Sequence, residues 1–238
     1  MPDTFYQWFS ERRLTRLGGR RRARIEAGRL DLLNRAAGRP GDLLELGPGH
    51  GAIAEASVKA GWRYAAVEAS PALAGRLRER GFEVVRAWVP PIPAADASRD
   101  AVYADQVLEH MPGIDAARQL TAEAWRVLRP GGVFFVVVPD YLKERGFFFD
   151  IDYTHNFVTT ERRVRQLLFD NAFEVERVVR SIGAATGIAR DLLAAASTLA
   201  RLPGLDALAR YAGAEEALFR VRKNFFQTLT FVARKPAA

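Results

Sequence analysis

Short apolar runs separated by stretches of helical period fill residues 42–140, and the first of them runs into a glycine-rich turn, LLELGPGHGA at 43–52. The runs at 43–46, 63–67, 82–85, 101–104 and 133–138 are strand-length, and the last, VFFVVV, has no polar alternation. A strand of that kind is buried on both faces, as in a parallel sheet covered by helices. Between the runs, residues 52–60, 71–80 and 114–128 read as helices. Ser70 stands where the second would be capped, and Arg129-Pro130-Gly131-Gly132 ends the third. The alternation predicts a doubly wound α/β sheet with helices on both faces and a ligand beyond the carboxyl ends of the strands.

The flanks follow other patterns. Residues 4–37 carry apolar positions at helical spacing, broken at Gly18-Gly19 and stopped by Gly38-Arg39-Pro40-Gly41, which predicts a pair of helices. Residues 1–40 are therefore read as an N-terminal helical extension and 41–238 as the main domain. After Pro139 come the loop KERGFFFDIDYTHNF, a helix at 160–169, a strand at 173–179 and a last strand at 227–233. The Ala- and Leu-rich stretch 184–219, cut by Pro203-Gly204, reads as two amphipathic helices. They form an insertion, 184–222, that is expected to cap a substrate pocket. Arg190, Asp191, Arg201, Asp206 and Arg210 interrupt its apolar face, which argues against a membrane span and leaves surface contact with a membrane as the alternative.

Composition narrows the chemistry. A chain of 238 residues, 49% hydrophobic, can bury one sizeable core. It has no cysteine, which excludes thiolate nucleophiles, disulfides, zinc-thiolate sites and iron–sulfur clusters. The N-terminus lacks an uninterrupted apolar signal region and no segment runs 18 apolar residues without a charge, so a soluble cytoplasmic protein is expected. Net charge is +7, concentrated at Arg12, Arg13, Arg16, Arg20, Arg21, Arg22 and Arg24. Nucleic acid, an anionic membrane or a phosphorylated substrate could use that cluster, while a plain bias toward Arg, Ala and Leu is the preferred account.

The glycine turn admits two readings. Gly47-x-Gly49-x-x-Ala52 satisfies a dinucleotide fingerprint, whereas Glu45-x-Gly47-x-Gly49-x-Gly51 satisfies another nucleotide-binding turn. Glu68, ending the second strand about 20 residues on, can accept hydrogen bonds from both hydroxyls of a ribose in either case, or be an ordinary strand-end acid. Glu45 and Pro48 separate the readings. An acid beside the turn repels a pyrophosphate and tolerates the sulfonium and ammonium of S-adenosylmethionine.

DAVYADQVLEHM at 100–111 and EAWRVLRPGGVFFVVVPD at 123–140, taken with DLLELGPGHG, resemble the successive motifs of class I S-adenosylmethionine-dependent methyltransferases, in the subgroup acting mostly on small molecules, lipids and sugars. The resemblance implies a Rossmann-like seven-stranded sheet whose last strand is antiparallel, with S-adenosylmethionine as cofactor. It places Gly47, Pro48, Gly49 and Gly51 under the methionine part, Glu68 on the ribose, Ala69 beside the adenine, and Asp105 and Gln106 at the methyl-donor end. Relatives often have an acid after the third strand, where this chain has Trp88. An indole there can stack on adenine or pack into the core, and in the latter case backbone groups near Ala87 and Val89 would recognise the base.

Methyl transfer is an in-line displacement at an activated carbon, so positioning is the main task and a metal is not required. A hydroxyl nucleophile benefits from a general base, and the chain has three histidines. Each taken alone can be a surface or packing residue. His155 is the first candidate base, with Asp150, Asp152 and Tyr153 near enough to orient it. His110 is the second and could instead border the cofactor, and His50 is expected to cap the helix after the turn. Phe147, Phe148 and Phe149 suggest an apolar wall or a loop anchor. The Asn-Pro-Pro-Tyr type turn used for amino groups of bases is replaced by Asp105-Gln106-Val107-Leu108, which disfavours nucleic acid. The expected acceptor is a small molecule, through an oxygen on a sugar, glycan or secondary metabolite. A lipid or quinone at a membrane surface is the alternative, and an NAD-dependent oxidoreductase or a non-catalytic cofactor-binding module are more remote ones.

Overall fold

The structure is a computed structural model that describes residues 16–237. Helix α1 (Arg16–Ala37) runs unbroken through Gly18-Gly19, where the sequence predicts a break, and any helix before residue 16 lies outside the described residues. Tertiary contacts outweigh the weak helix propensity of the two glycines. Leu30 and Leu33 are buried in the core, the Trp62 indole N–H donates to Asn34 Oδ1 (2.8 Å), and Arg234 Nη2 donates to the Ala36 carbonyl (2.7 Å).

Alternating strands and helices follow: β1 (Asp42–Leu46), α2 (Ala54–Lys59), β2 (Arg63–Glu68), α3 (Pro71–Glu79), β3 (Glu83–Arg86), β4 (Arg99–Asp105), α4 (Ile114–Val127) and β5 (Leu128–Pro139). Ser70 Oγ caps α3 by accepting from Leu73 N–H, as its position predicts. Next come two single turns, α5 (Tyr141–Glu144) and α6 (Phe147–Asp150), then α7 (Glu161–Asp170) and β6 (Glu174–Ile182). The insertion forms three helices rather than two, α8 (Gly187–Ser197), α9 (Leu205–Tyr211) and α10 (Glu215–Asn224), before β7 (Gln227–Arg234). The extra break falls at Gly213, whose φ of +64° ends α9 about two turns after Pro203-Gly204 began it.

All seven strands form one sheet in the order β3-β2-β1-β4-β5-β7-β6. The first five pair in parallel, and β7 lies antiparallel between β5 and β6. Alternation along the strands splits the core in two. Leu44, Leu46, Val102, Ala104, Phe134 and Val136 meet α4 and α7 on one face, and Leu43, Tyr64, Tyr103, Phe135 and Val137 meet α1, α2 and α3 on the other. Strand order reverses between β1 and β4, so the carboxyl ends of β1, β2 and β4 open onto one crevice.

Candidate functional site

Three sequence segments reach that crevice because their strands end beside one another. From β1 comes the glycine turn, with φ of +62°, +56° and +69° at Gly47, Gly49 and Gly51. A Cβ at Gly51 would lie 2.4 Å from Leu77 Cδ2, and one at Gly47 would lie 2.9 Å from Val107 Cγ2. Side chains are thus excluded there twice over, by conformation and by space. Pro48 is buried, and its carbonyl accepts from Gly51 N–H (2.8 Å). His50 does not cap α2, which begins after Ile53 without a side-chain cap. Its carbonyl accepts from Arg80 Nη1 (2.8 Å) instead.

From β2 comes Glu68, buried at the strand end. One carboxylate oxygen accepts from Ser70 N–H and the other from Gly49 N–H, each at 2.9 Å. These bonds fix the carboxylate across the mouth of the glycine turn. Ala69 beside it is half-buried. Beyond β3, Trp88 is 63% exposed, so packing into the core is not its arrangement, and Val89 packs against the core in its place.

Glu45 lies beneath the turn on the opposite side of β1 from Leu44 and Leu46. It is buried and accepts a hydrogen bond from the Tyr64 hydroxyl. Burial pushes its carboxyl up to about 8 despite that bond, with Asp105, Glu26 and Glu68 adding to the rise. Asp105, at the end of β4, pairs through Oδ2 with Arg29 of α1, so the N-terminal helix reaches the site. Its buried Oδ1 and the buried Nε2 of Gln106 have no protein partner, which leaves polar atoms at the donor end for a ligand to satisfy. Gln106 turns the chain at φ +57°, with its N–H on the Val137 carbonyl (2.9 Å).

The structure brings His110 and His155 together, with ring centroids 4.9 Å apart. His110 follows β4 in a single 3-10 turn, Leu108–His110, and His155 comes from the loop after α6. That loop is tied down where Asn156 and Phe157 N–H both donate to the Glu109 carbonyl. His155 is not oriented by Asp150, Asp152 or Tyr153. Its Nδ1 donates to the Phe148 carbonyl (2.6 Å), and its ring packs on Phe148 (4.6 Å between centroids). Asp152 instead accepts from the Thr154 hydroxyl (2.7 Å), whose oxygen meets His110 Nδ1 at 2.7 Å. Burial lowers both imidazoles from their ordinary value, with Asp152 opposing the shift in each case and each ring staying neutral near pH 7. Phe147 and Phe148 anchor the loop: Phe148 is fully buried and Phe147 packs on Phe219 and Phe226. A separate cleft of about 530 Å³, with Asp140, Lys143, Arg162, Arg165 and Arg180 among its lining, includes none of these residues.

Comparison with known proteins resolves the ambiguity of the turn. Residues 44–136 match the model of the methyltransferase domain family, and the match includes the glycine turn, Glu68 and Asp105. That stretch of the chain is similar to a methyltransferase domain. The match favours the methyltransferase reading of the turn over the dinucleotide one, with S-adenosylmethionine as the cofactor. A Mycolicibacterium smegmatis protein named "Probable S-adenosylmethionine-dependent methyltransferase" is 37% identical over 111 residues, which are 46% of this chain and 41% of that protein. The chain therefore spans less than half the length of that relative.

Solved structures share the fold of this chain at low identity. The 1,6-didemethyltoxoflavin-N1-methyltransferase of Burkholderia thailandensis, crystallised with 1,6-didemethyltoxoflavin and S-adenosylhomocysteine, superposes with a TM-score of 0.60 at 19% identity over 89% of this chain and 78% of that one. Geranyl diphosphate C-methyltransferase of Streptomyces coelicolor gives 0.61 at 17% identity over 88% and 79%. Three groups that bear on this site escape sequence reading. Tyr64 and Arg29 satisfy Glu45 and Asp105, and Glu109 stands fully buried beside His110. Only Glu109 carried a signal, an acid adjoining a histidine in the segment after β4.

Proposed function

We propose that the protein transfers a methyl group from S-adenosylmethionine to an oxygen of a small-molecule acceptor such as a sugar, glycan or secondary metabolite. The reading is carried by the paired histidines standing at the same strand end as Asp105 and Gln106, beside the crevice that the glycine turn and Glu68 line. When bound, S-adenosylmethionine supplies a methyl group activated by its sulfonium. Gly47, Pro48, Gly49 and Gly51 would lie against its methionine part, Glu68 would accept from its ribose hydroxyls, and Ala69, Trp88 and Val89 would flank the adenine. Glu45 would face the cationic part of the ligand through the turn.

His155 is suited to take the acceptor's proton. Its Nδ1–H is committed to the Phe148 carbonyl, which leaves the Nε2 lone pair of a neutral ring for the hydroxyl. Positioned bases contribute about 10²–10⁴-fold. With isotopically labelled S-adenosylmethionine and a panel of hydroxylated acceptors, His155→Ala is expected to lose about that factor in transfer rate while its affinity for the cofactor is unchanged. An unchanged rate on the accepted substrate removes His155 from the reaction.

A second reading rests on the insertion. Ile188, Leu192, Leu199, Leu202, Leu208 and Tyr211 are exposed on and around α8 and α9, and no single helix among the described residues is long and apolar enough to cross a membrane. A surface of that kind fits the boundary of a bilayer, where a lipid or quinone acceptor would be presented. Co-sedimentation with anionic vesicles, reduced at least tenfold by Leu192→Glu with Leu208→Glu, is the expected result if the acceptor is a membrane lipid. No sedimentation of the wild type with vesicles leaves the water-soluble acceptor.

A further inference from the structure

Glu109 is the least explained group in the molecule. Its side chain has no solvent exposure, and both carboxylate oxygens lack a hydrogen-bond partner among the described residues. No basic side chain among the described residues forms an ion pair with it, and its nearest charged neighbours include Asp105 and Asp152 as well as Arg29. A buried carboxyl with neither donor nor counter-charge is costly, whether ionised or neutral. Its oxygens face the two imidazoles: a ligand atom from each of Glu109, His110 and His155 lies within 4.8 Å of the others.

We propose that Glu109, His110 and His155 form a binding site for one divalent transition-metal ion, Mn²⁺, Fe²⁺, Co²⁺ or Zn²⁺, at the acceptor side of the crevice. The hydrogen bonds around the histidines suit it. The Phe148 carbonyl can only accept, so His155 Nδ1 carries a proton and Nε2 a lone pair. The Thr154 hydroxyl gives its hydrogen to Asp152, so its oxygen accepts from His110 Nδ1 and turns that ring's other nitrogen into the available lone pair. An outer partner on one ring nitrogen is what orients a metal-binding histidine. An ion bonded to all three would lie about 2.0–2.2 Å from each atom, so binding would draw them closer than a spacing of up to 4.8 Å. Two imidazoles with one carboxylate select a first-row transition ion over Mg²⁺ or Ca²⁺, and leave coordination positions open.

The inference deepens the proposed transfer to oxygen and rests on it for its role. An acceptor hydroxyl entering an open position would form an oxygen–metal bond and release its proton to water at a lower pH than in solution. An ion-bound His155 is then a ligand, and the ion takes over the acidifying task. Acceptors with two adjacent oxygens, able to chelate, would be preferred.

The test begins with the full chain stripped by a chelator and titrated with Co²⁺, followed by calorimetry and the visible absorption of the bound ion, with S-adenosylmethionine binding measured on the same samples. One equivalent per chain is expected, weakened at least tenfold in Glu109→Gln. Thr154→Val, which touches no ligand atom of the ion, is expected to weaken it about 10–100-fold through the freed His110 ring. Circular dichroism and cofactor affinity certify the fold of each variant. Absence of stoichiometric Co²⁺ binding by a wild-type chain that binds the cofactor overturns the site and leaves His155 as the base. So does binding that survives Glu109→Gln and Thr154→Val alike. Co²⁺ binding by a chain that ignores S-adenosylmethionine upholds the site and defeats the methyl-transfer reading.

Discussion

Glu68→Ala is expected to weaken the binding of S-adenosylmethionine and S-adenosylhomocysteine by at least about 10²-fold. Hydrogen bonds to a charged partner contribute about 1.5–3 kcal/mol each, and the two ribose hydroxyls would lose one apiece. A further loss comes from the apo protein. The Glu68 carboxylate ties Gly49 N–H to Ser70 N–H at 2.9 Å on each side, so removing it frees the turn as well as the ribose site. Calorimetric titration of both ligands follows the loss, and Glu68→Gln keeps one acceptor oxygen while removing the charge and setting an amide NH2 against the other backbone N–H. Glu68→Gln should therefore fall between wild type and Glu68→Ala. Equal affinity in all three would place the ribose on other groups, and the glycine turn would then lack its partner from β2.

The alternation of strands and helices and the place of the site were legible because each depends on a local pattern. VFFVVV has no polar face, and β5 is indeed buried on both. Gly47, Gly49 and Gly51 needed positive φ, and all three have it. What escaped was what depends on partners far apart in the chain. Gly18-Gly19 reads as a break, yet α1 continues because Arg21, Leu30 and Leu33 find partners about the molecule, including Asn224. Asp152 looked like the orienting group of His155 because it is three residues away. In the fold it serves His110 through Thr154, while His155 turns to a backbone carbonyl at Phe148. Sequence distance fixed the loop that carries these groups and could not fix which pairs form inside it. Glu109 shows the same limit, since only burial reveals that its carboxylate is unpaired.

Glu144→Ala is expected to lower the stability of the folded chain by about 3 kcal/mol, read as a fall in the urea midpoint and of about 6–12 °C in Tm. Glu144 belongs to the first turn after β5, and its side chain has no solvent exposure. One oxygen accepts from Gln227 N–H (2.8 Å), which opens β7, and the other from Arg201 Nη2 (2.7 Å), which lies between α8 and α9. Burial pushes the carboxyl up from its ordinary value, and Gln227 N–H and Arg201 pull it back toward the charged form. Alanine would strand both donors. Breaking one partner of a buried pair costs about 3–5 kcal/mol, and the lower end applies because Arg201 is 22% exposed and recovers some hydration. Glu144→Gln retains the bond to Gln227 and should cost less than half as much. The same joint carries the insertion against the His155 loop, since Phe147 of α6 packs on Phe219 of α10 and Phe148 holds His155. Methyl transfer by Glu144→Ala, measured below its lowered midpoint, should fall while cofactor affinity is kept. A stability loss under about 1 kcal/mol would instead assign the docking of the insertion to the Phe147, Phe219 and Phe226 contacts alone.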